Sequence, residues 1–255
     1  DAGFVPQVGY RETYHNGGWT VRPNGFLRRV RFFVDSEQQH DRSGGLIARS
    51  INPGVGMDAR WNGFLQFRSI NDRIRSGGQA YTRRQVGYVA QFSPSGRVAQ
   101  IRVDGTVGDE IDFAHSRAGH GATVNLSTRL NLTGHLEVTL VQNERRLHVD
   151  DAAGASRRLL VARVSRVRGT YTFTSKTFAR VIGQYVSTDR DVTLFSSPVR
   201  ARSGTFSGSV LLAYKLNWQS VLFAGVGEER ELSEQRVLEP SSRQVFVKMS
   251  YAFQR

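Results

Sequence analysis

Three features of this 255-residue chain predict an all-β fold of antiparallel strands. Apolar and polar residues alternate with a period of two in segment after segment, short polar turns recur between the segments, and helical spacing is hard to find anywhere. The C-terminal segment Arg243–Gln254 shows the pattern well. Val245, Val247, Met249, Tyr251 and Phe253 fall on one side of an extended strand, while Gln244, Lys248, Ser250 and Gln254 fall on the other.

Composition narrows the solvent such strands can occupy. No apolar run approaches the roughly 18–20 residues of a spanning helix, so a helical membrane protein is excluded. A transmembrane β-barrel is not, because its strands need only about 9–11 residues each and half of those can be polar. The strand ending in the aromatic pair Tyr251 and Phe253 fits the closing strand of such a barrel, with lipid outside and water inside. Cysteine is absent, which removes disulfides and thiolate metal sites. The net charge of +13 comes almost wholly from arginine. These arginines are scattered along alternating strands without a basic arm or helix, so no nucleic-acid partner is predicted.

The strands, in order, are expected roughly at 4–14, 26–38, 44–52, 55–69, 80–93, 97–107, 121–131, 134–149, 158–172, 177–189, 206–216, 220–233 and 242–254. Met57–Ser69 alternates cleanly, with Met57, Ala59, Trp61, Leu65 and Phe67 against Asp58, Arg60, Asn62, Gln66 and Arg68. Phe206–Leu216 is looser, because Leu211 and Ala213 share a side with Ser207 and Ser209. Short turns are placed at Ser93–Gly96, Asn131–Gly134, Thr174–Lys176 and Asn217–Gln219; glycine, proline or asparagine, in those turns that contain one, supplies turn geometry. Longer polar loops are placed at Asn71–Tyr81, Gly108–Gly121, Asp150–Arg157, Arg190–Thr205 and Ser233–Ser242. Alternation of short and long connections is the pattern of barrels in the bacterial outer membrane, with short periplasmic turns and long outer loops. The expected architecture is a single β-barrel region over residues 1–255, of roughly 12–13 visible strands, with its C-terminus in the periplasm. Even strand numbers in such barrels place further N-terminal strands before Asp1.

Three segments resemble a known family. Asp1-Ala2-Gly3-Phe4-Val5-Pro6-Gln7-Val8-Gly9-Tyr10-Arg11 resembles a Gly-Phe-x-Pro-x-x-x-Tyr-Arg segment found mid-chain in one group of outer-membrane proteins. Val221–Gly227 and Val245–Tyr251 resemble that group's last two strands. Its members carry an N-terminal module similar to family-9 carbohydrate-binding domains, followed by a β-barrel of undefined function. The resemblance implies that this chain is the later part of the barrel, with the carbohydrate-binding-like module absent.

The arginines on polar strand faces are the main functional candidates. Arg60, Arg68, Arg102 and Arg129 have Asn, Gln, Asp or Ser as same-side neighbours, and in a barrel that side is the lumen. A lumen lined by guanidinium groups favours anions in transit; the competing reading is that they pair with carboxylates and fill the interior. Arg180 shares its side with Phe178 and Ile182 and is left out. Trp61, Tyr171, Tyr214, Trp218, Tyr251 and Phe253 are expected at the membrane interfaces as an aromatic girdle. His115 and His120 with Asp109, Glu110 and Asp112 read as a solvated loop rather than a metal site, and no cofactor is expected. Glu228, Glu229 and Glu231 beside Arg230 read as rim ion pairs rather than as a site for divalent ions that bridge lipopolysaccharide. Without a nucleophile elbow or a metal-ligand spacing, no enzyme is expected. The sequence thus points to a pore or envelope component that handles a carbohydrate or other solute. The rival is a plugged barrel acting as a scaffold in a secretion or surface assembly. Expected partners are outer-membrane lipid and lipopolysaccharide, the barrel-assembly machinery through strand 243–254, and an envelope protein.

Overall fold

The computed structural model describes residues 9–76, 78–151 and 153–252. Phe253 and most of the opening Asp1–Arg11 segment therefore lie outside the described residues. The chain is all-β. Thirteen antiparallel strands follow one another in a single sheet, each hydrogen-bonded to its neighbours in sequence, with the first and last at the edges, so the sheet is not closed. They are β1 Tyr10–Val21, β2 Leu27–Asp41, β3 Leu46–Ala59, β4 Gly63–Ser76, β5 Gln79–Phe92, β6 Val98–Asp112, β7 Arg117–Asn131, β8 Leu136–Asp150, β9 Ser156–Thr172, β10 Thr177–Arg190, β11 Arg202–Lys215, β12 Ser220–Leu232 and β13 Leu238–Tyr251. One short 3-10 turn, Val192–Leu194, interrupts the connection before β11.

The strand number and order agree with the sequence reading, but two features differ. Met57–Ser69 is not one strand. It folds back at Arg60–Asn62, where Gly63 N–H donates to the Arg60 carbonyl (3.0 Å) and Trp61 and Asn62 both take positive φ, 57° and 51°. That is a two-residue hairpin turn of the kind whose twist matches the strands. The expected long loops at 71–81 and 108–121 are mostly strand, and those at 150–157 and 233–242 shrink to the short connections 151–155 and 233–237. Only the 191–201 connection stays long.

The chain divides into two compact units. The first contains residues up to Gln91 with Asp104–Thr123 and Leu147–Arg157; the second contains Phe92–Val103, Val124–Arg146 and Arg158 onward.

In the first unit, register sorts side chains onto two faces. Val30, Phe32 and Val34 of β2 share a face with Met57, Val55 and Pro53 of β3 and with Leu65 and Phe67 of β4. The opposite face carries Arg31, Asp35, Asp58, Gln66, Arg68 and Asp72. Gly108, at φ 141° in β6, lets the strands approach closely: a Cβ there would stand 2.3 Å from the Arg84 carbonyl oxygen. A side chain at that point requires the backbone to move.

The second unit repeats the division. Tyr214, Leu212 and Val210 of β11 lie opposite Leu222, Ala224 and Val226 of β12, which lie opposite Met249, Val247 and Val245 of β13. These apolar side chains face outward: Val245 is 77% and Val247 72% exposed. A water-soluble protein rarely presents so continuous an apolar surface. The other face carries Arg166, Arg168, Arg180, Gln184, Ser207, Ser209, Gln244 and Lys248. Phe246 also lies on that face, its ring over Gly225, where a Cβ would meet it at 2.7 Å.

Candidate functional site

The polar faces hold the candidate site, and register decides which arginines belong to it. Arg68 sits on the polar face of the first unit, directly opposite Gly54 and Gly87. Its stem lies over Gly87, where a Cβ would approach Arg68 Cγ and Nε to 3.1 Å. Arg102 lies in β6 and Arg129 in β7, both in the second unit, and Arg129 Nη2 donates to Gln100 Oε1 at 3.4 Å. Arg60 is on no strand face: it opens the β3–β4 turn. Alternation ran unbroken through that two-residue turn, so period-two reasoning placed it on a strand.

Arg180 reverses the other way. The sequence sets it beside Phe178 and Ile182, yet register puts it on the polar face, opposite Thr170 and one step from Arg168. Its guanidinium carbon stands 5.4 Å from the Phe178 ring centroid, and Phe178 lies opposite Ala213, itself opposite Phe223. Here the polar face has an apolar floor with the Arg180 guanidinium standing on it.

Around Arg180 is a polar hollow of about 440 Å³, lined among others by Thr133, His135, Glu137, Arg168 and Thr172. Arg168 Nη2 donates to Thr139 Oγ1 at 3.2 Å and lies 3.6 Å from Glu137 Oε1. His135 Nδ1 donates to the Thr172 carbonyl at 2.8 Å, which leaves Nε2 as an acceptor. Among the described residues, Arg180 Nε is the one buried side-chain polar atom without a hydrogen-bond partner. A buried, unsatisfied guanidinium N–H costs free energy that an acceptor entering the hollow would recover. A second hollow of about 280 Å³, in the first unit, is already neutralised: Arg29 pairs with Asp58 at 2.7 Å, and Arg31 donates to Asn16 at 3.0 Å.

Further along the polar face of the first unit, Arg83 bridges two strands. Its Nη2 lies 2.6 Å from Asp72 Oδ2 and its Nη1 3.1 Å from Glu110 Oε1, all largely buried. His115 and His120 are taken up in pairs, at 2.8 Å to Asp112 and 3.3 Å to Asp109, and Arg117 shares Asp112 at 2.8 Å. No group of three or more metal-ligating side chains assembles among the described residues. The acidic run near the end of β12 is split by alternation: Glu228 shares a face with Arg230 and pairs with it at 2.6 Å, while Glu229 and Glu231 point to the other face.

The predicted interface aromatics gather near the short turns within each unit. Trp61 packs edge-on against Phe26 of the β1–β2 connection, with centroids 6.3 Å apart. In the second unit, Tyr171 packs against Phe173 at 4.8 Å, Trp218 projects from the β11–β12 turn, and Tyr251 Oη donates to Gln219 at 3.3 Å. Tyr214 stands opposite Thr177 and Leu222. Phe26 and Phe173 were missed by the sequence reading, although each directly adjoins a turn.

No family model matches the chain, and no curated protein does. Among the similar solved structures are two matched over nearly their whole length. OmpT, an outer membrane protein of Vibrio cholerae, is 6% identical with a TM-score of 0.43, over 98% of this chain and 99% of that one. The NanC porin is 11% identical with a TM-score of 0.37, over 94% and 99%. The expectation that this chain is not an enzyme is corrected here. Catalysis stays open, because a fold does not fix function and a missing sequence signature does not exclude activity.

Proposed function

We propose that this chain forms part of a bacterial outer-membrane β-barrel whose polar faces line a water-filled passage for anionic solutes. The observation that carries the reading is the separation of faces. One face of each unit is exposed and apolar from the short turns to mid-strand, the other polar and rich in arginine. Lipid outside and water inside is the environment that requires such a division. In this reading the turns bearing Trp61 and Trp218 face the periplasm, as does the C-terminus, and their aromatics sit at headgroup level.

The hollow at Arg168 and Arg180 suits a carboxylate or phosphate, held by guanidinium N–H groups. Thr133, Glu137 and His135 Nε2 offer partners for solute hydroxyls. An acidic sugar combines both features. The filled-lumen alternative is not favoured, because Arg180 keeps an unmet donor.

The test is conductance in planar bilayers. The native chain is expected to conduct with anion preference. Replacing Arg168 and Arg180 together by Gln is expected to lower the anion-to-cation permeability ratio about twofold or more. Cation selectivity, or no conductance from protein inserted in the bilayer, contradicts the proposal.

A further inference from the structure

The apolar face of the first unit ends in a charge pattern that the passage does not use. On β3 this face is occupied by Ala59, Met57, Val55, Pro53 and Ile51, a span of about nine residues, the length a tilted strand needs to cross the apolar layer. One step beyond is Arg49, directly opposite Arg73 of β4, and both are exposed. The same row continues through Gln38 on one side and Thr82 on the other. Arg84 stands one step lower, opposite Asn71, its main-chain N–H held by Asp109. The carboxylates of β1–β5, namely Glu12, Asp35, Glu37, Asp41, Asp58 and Asp72, all fall on the other face.

Like charges directly opposite in an antiparallel pair are destabilising. In the second unit, the charges past the end of the apolar face neutralise one another: Arg163 with Asp189 at 3.0 Å, Arg202 with Asp189 at 3.4 Å, and Arg230 with Glu228 at 2.6 Å. Arg49 and Arg73 have no such partner among the described residues. A pair of this kind, at headgroup depth on the lipid side and at the end away from the short turns, calls for an external anion.

We propose that Arg49 and Arg73 clamp a phosphate of lipid A in the outer leaflet, with Gln38 and Thr82 supplying flanking hydrogen bonds. The proposal rests on the outer-membrane reading above. Two guanidinium groups facing one another across strands about 5 Å apart can both reach a single phosphate.

The experiment titrates detergent-folded protein with diphosphoryl lipid A and with its dephosphorylated form. The native chain is expected to bind the diphosphoryl form preferentially. Arg49→Gln with Arg73→Gln is expected to weaken that binding about tenfold or more, while Lys176→Gln, in the β9–β10 turn, leaves it unchanged. Arg49→Glu separates a clamp from a structural role. It turns the repulsive pair into an attractive one, so it raises the unfolding temperature in lipopolysaccharide-free detergent while abolishing the phosphate preference. Equal binding of both lipid forms, or an unchanged affinity in the double variant, overturns the proposal. Failure of the native chain to fold in detergent or enter vesicles overturns the outer-membrane reading itself, a distinct outcome.

Discussion

Arginine in place of Val210 is expected to remove about 2–4 kcal/mol from the stability of the chain folded in lipid vesicles, enough to prevent stable insertion. Val210 lies directly opposite Val181 and Val226, in the middle of the apolar face of the second unit. Val210 is 47% and Val181 53% exposed, so in water neither is a core residue. The same substitution on a soluble β-protein falls within about 0.5 kcal/mol, the usual range for a surface change. Ser209→Arg, on the polar face opposite Ile182 and Gly227, is expected to be tolerated. Urea titration of vesicle-folded protein measures both variants against the native chain, and tolerance of arginine at Val210 speaks for a water-facing surface.

Leucine in place of Arg83 is expected to cost about 2–4 kcal/mol, because it strips the ion pair from Asp72 and one charged contact from Glu110. The figure lies below the range for fully buried pairs because the Arg83 side chain keeps 19% exposure. Asp72→Asn combined with Arg83→Leu is expected to recover part of the loss, since a neutral amide in place of the stranded carboxylate removes the buried charge. If the double variant is no more stable than Arg83→Leu, the cost comes from lost packing of the arginine stem instead.

The strands were legible because burial on one face imposes a period of two that survives in the residues themselves. Val245, Val247, Met249 and Tyr251 show it without help from tertiary structure. Register was not legible, and it governs the site. Arg60 and Trp61 sit in a turn that a continuous alternation conceals, although Asn62-Gly63 is a hairpin signal that could have divided the segment. Arg180 was excluded by its apolar neighbours along the strand, whereas its environment is set by Thr170 and Arg168 across it. Leu211 and Ala213, which made β11 look irregular, form the apolar floor of the polar face with Phe178 and Phe223. The clash of Arg49 with Arg73 is likewise invisible along the chain, because 24 positions separate two residues that register sets face to face.

The central claim is that the apolar face meets lipid. The absence of native cysteine makes a direct test practicable: single cysteines along Phe206–Tyr214 of β11, each carrying a fluorescent probe, in vesicles containing a quencher confined to the acyl chains. Quenching is predicted at 206, 208, 210, 212 and 214 and not at 207, 209, 211 and 213. Uniform quenching, uniform protection, or protein that stays in the aqueous phase would contradict the account.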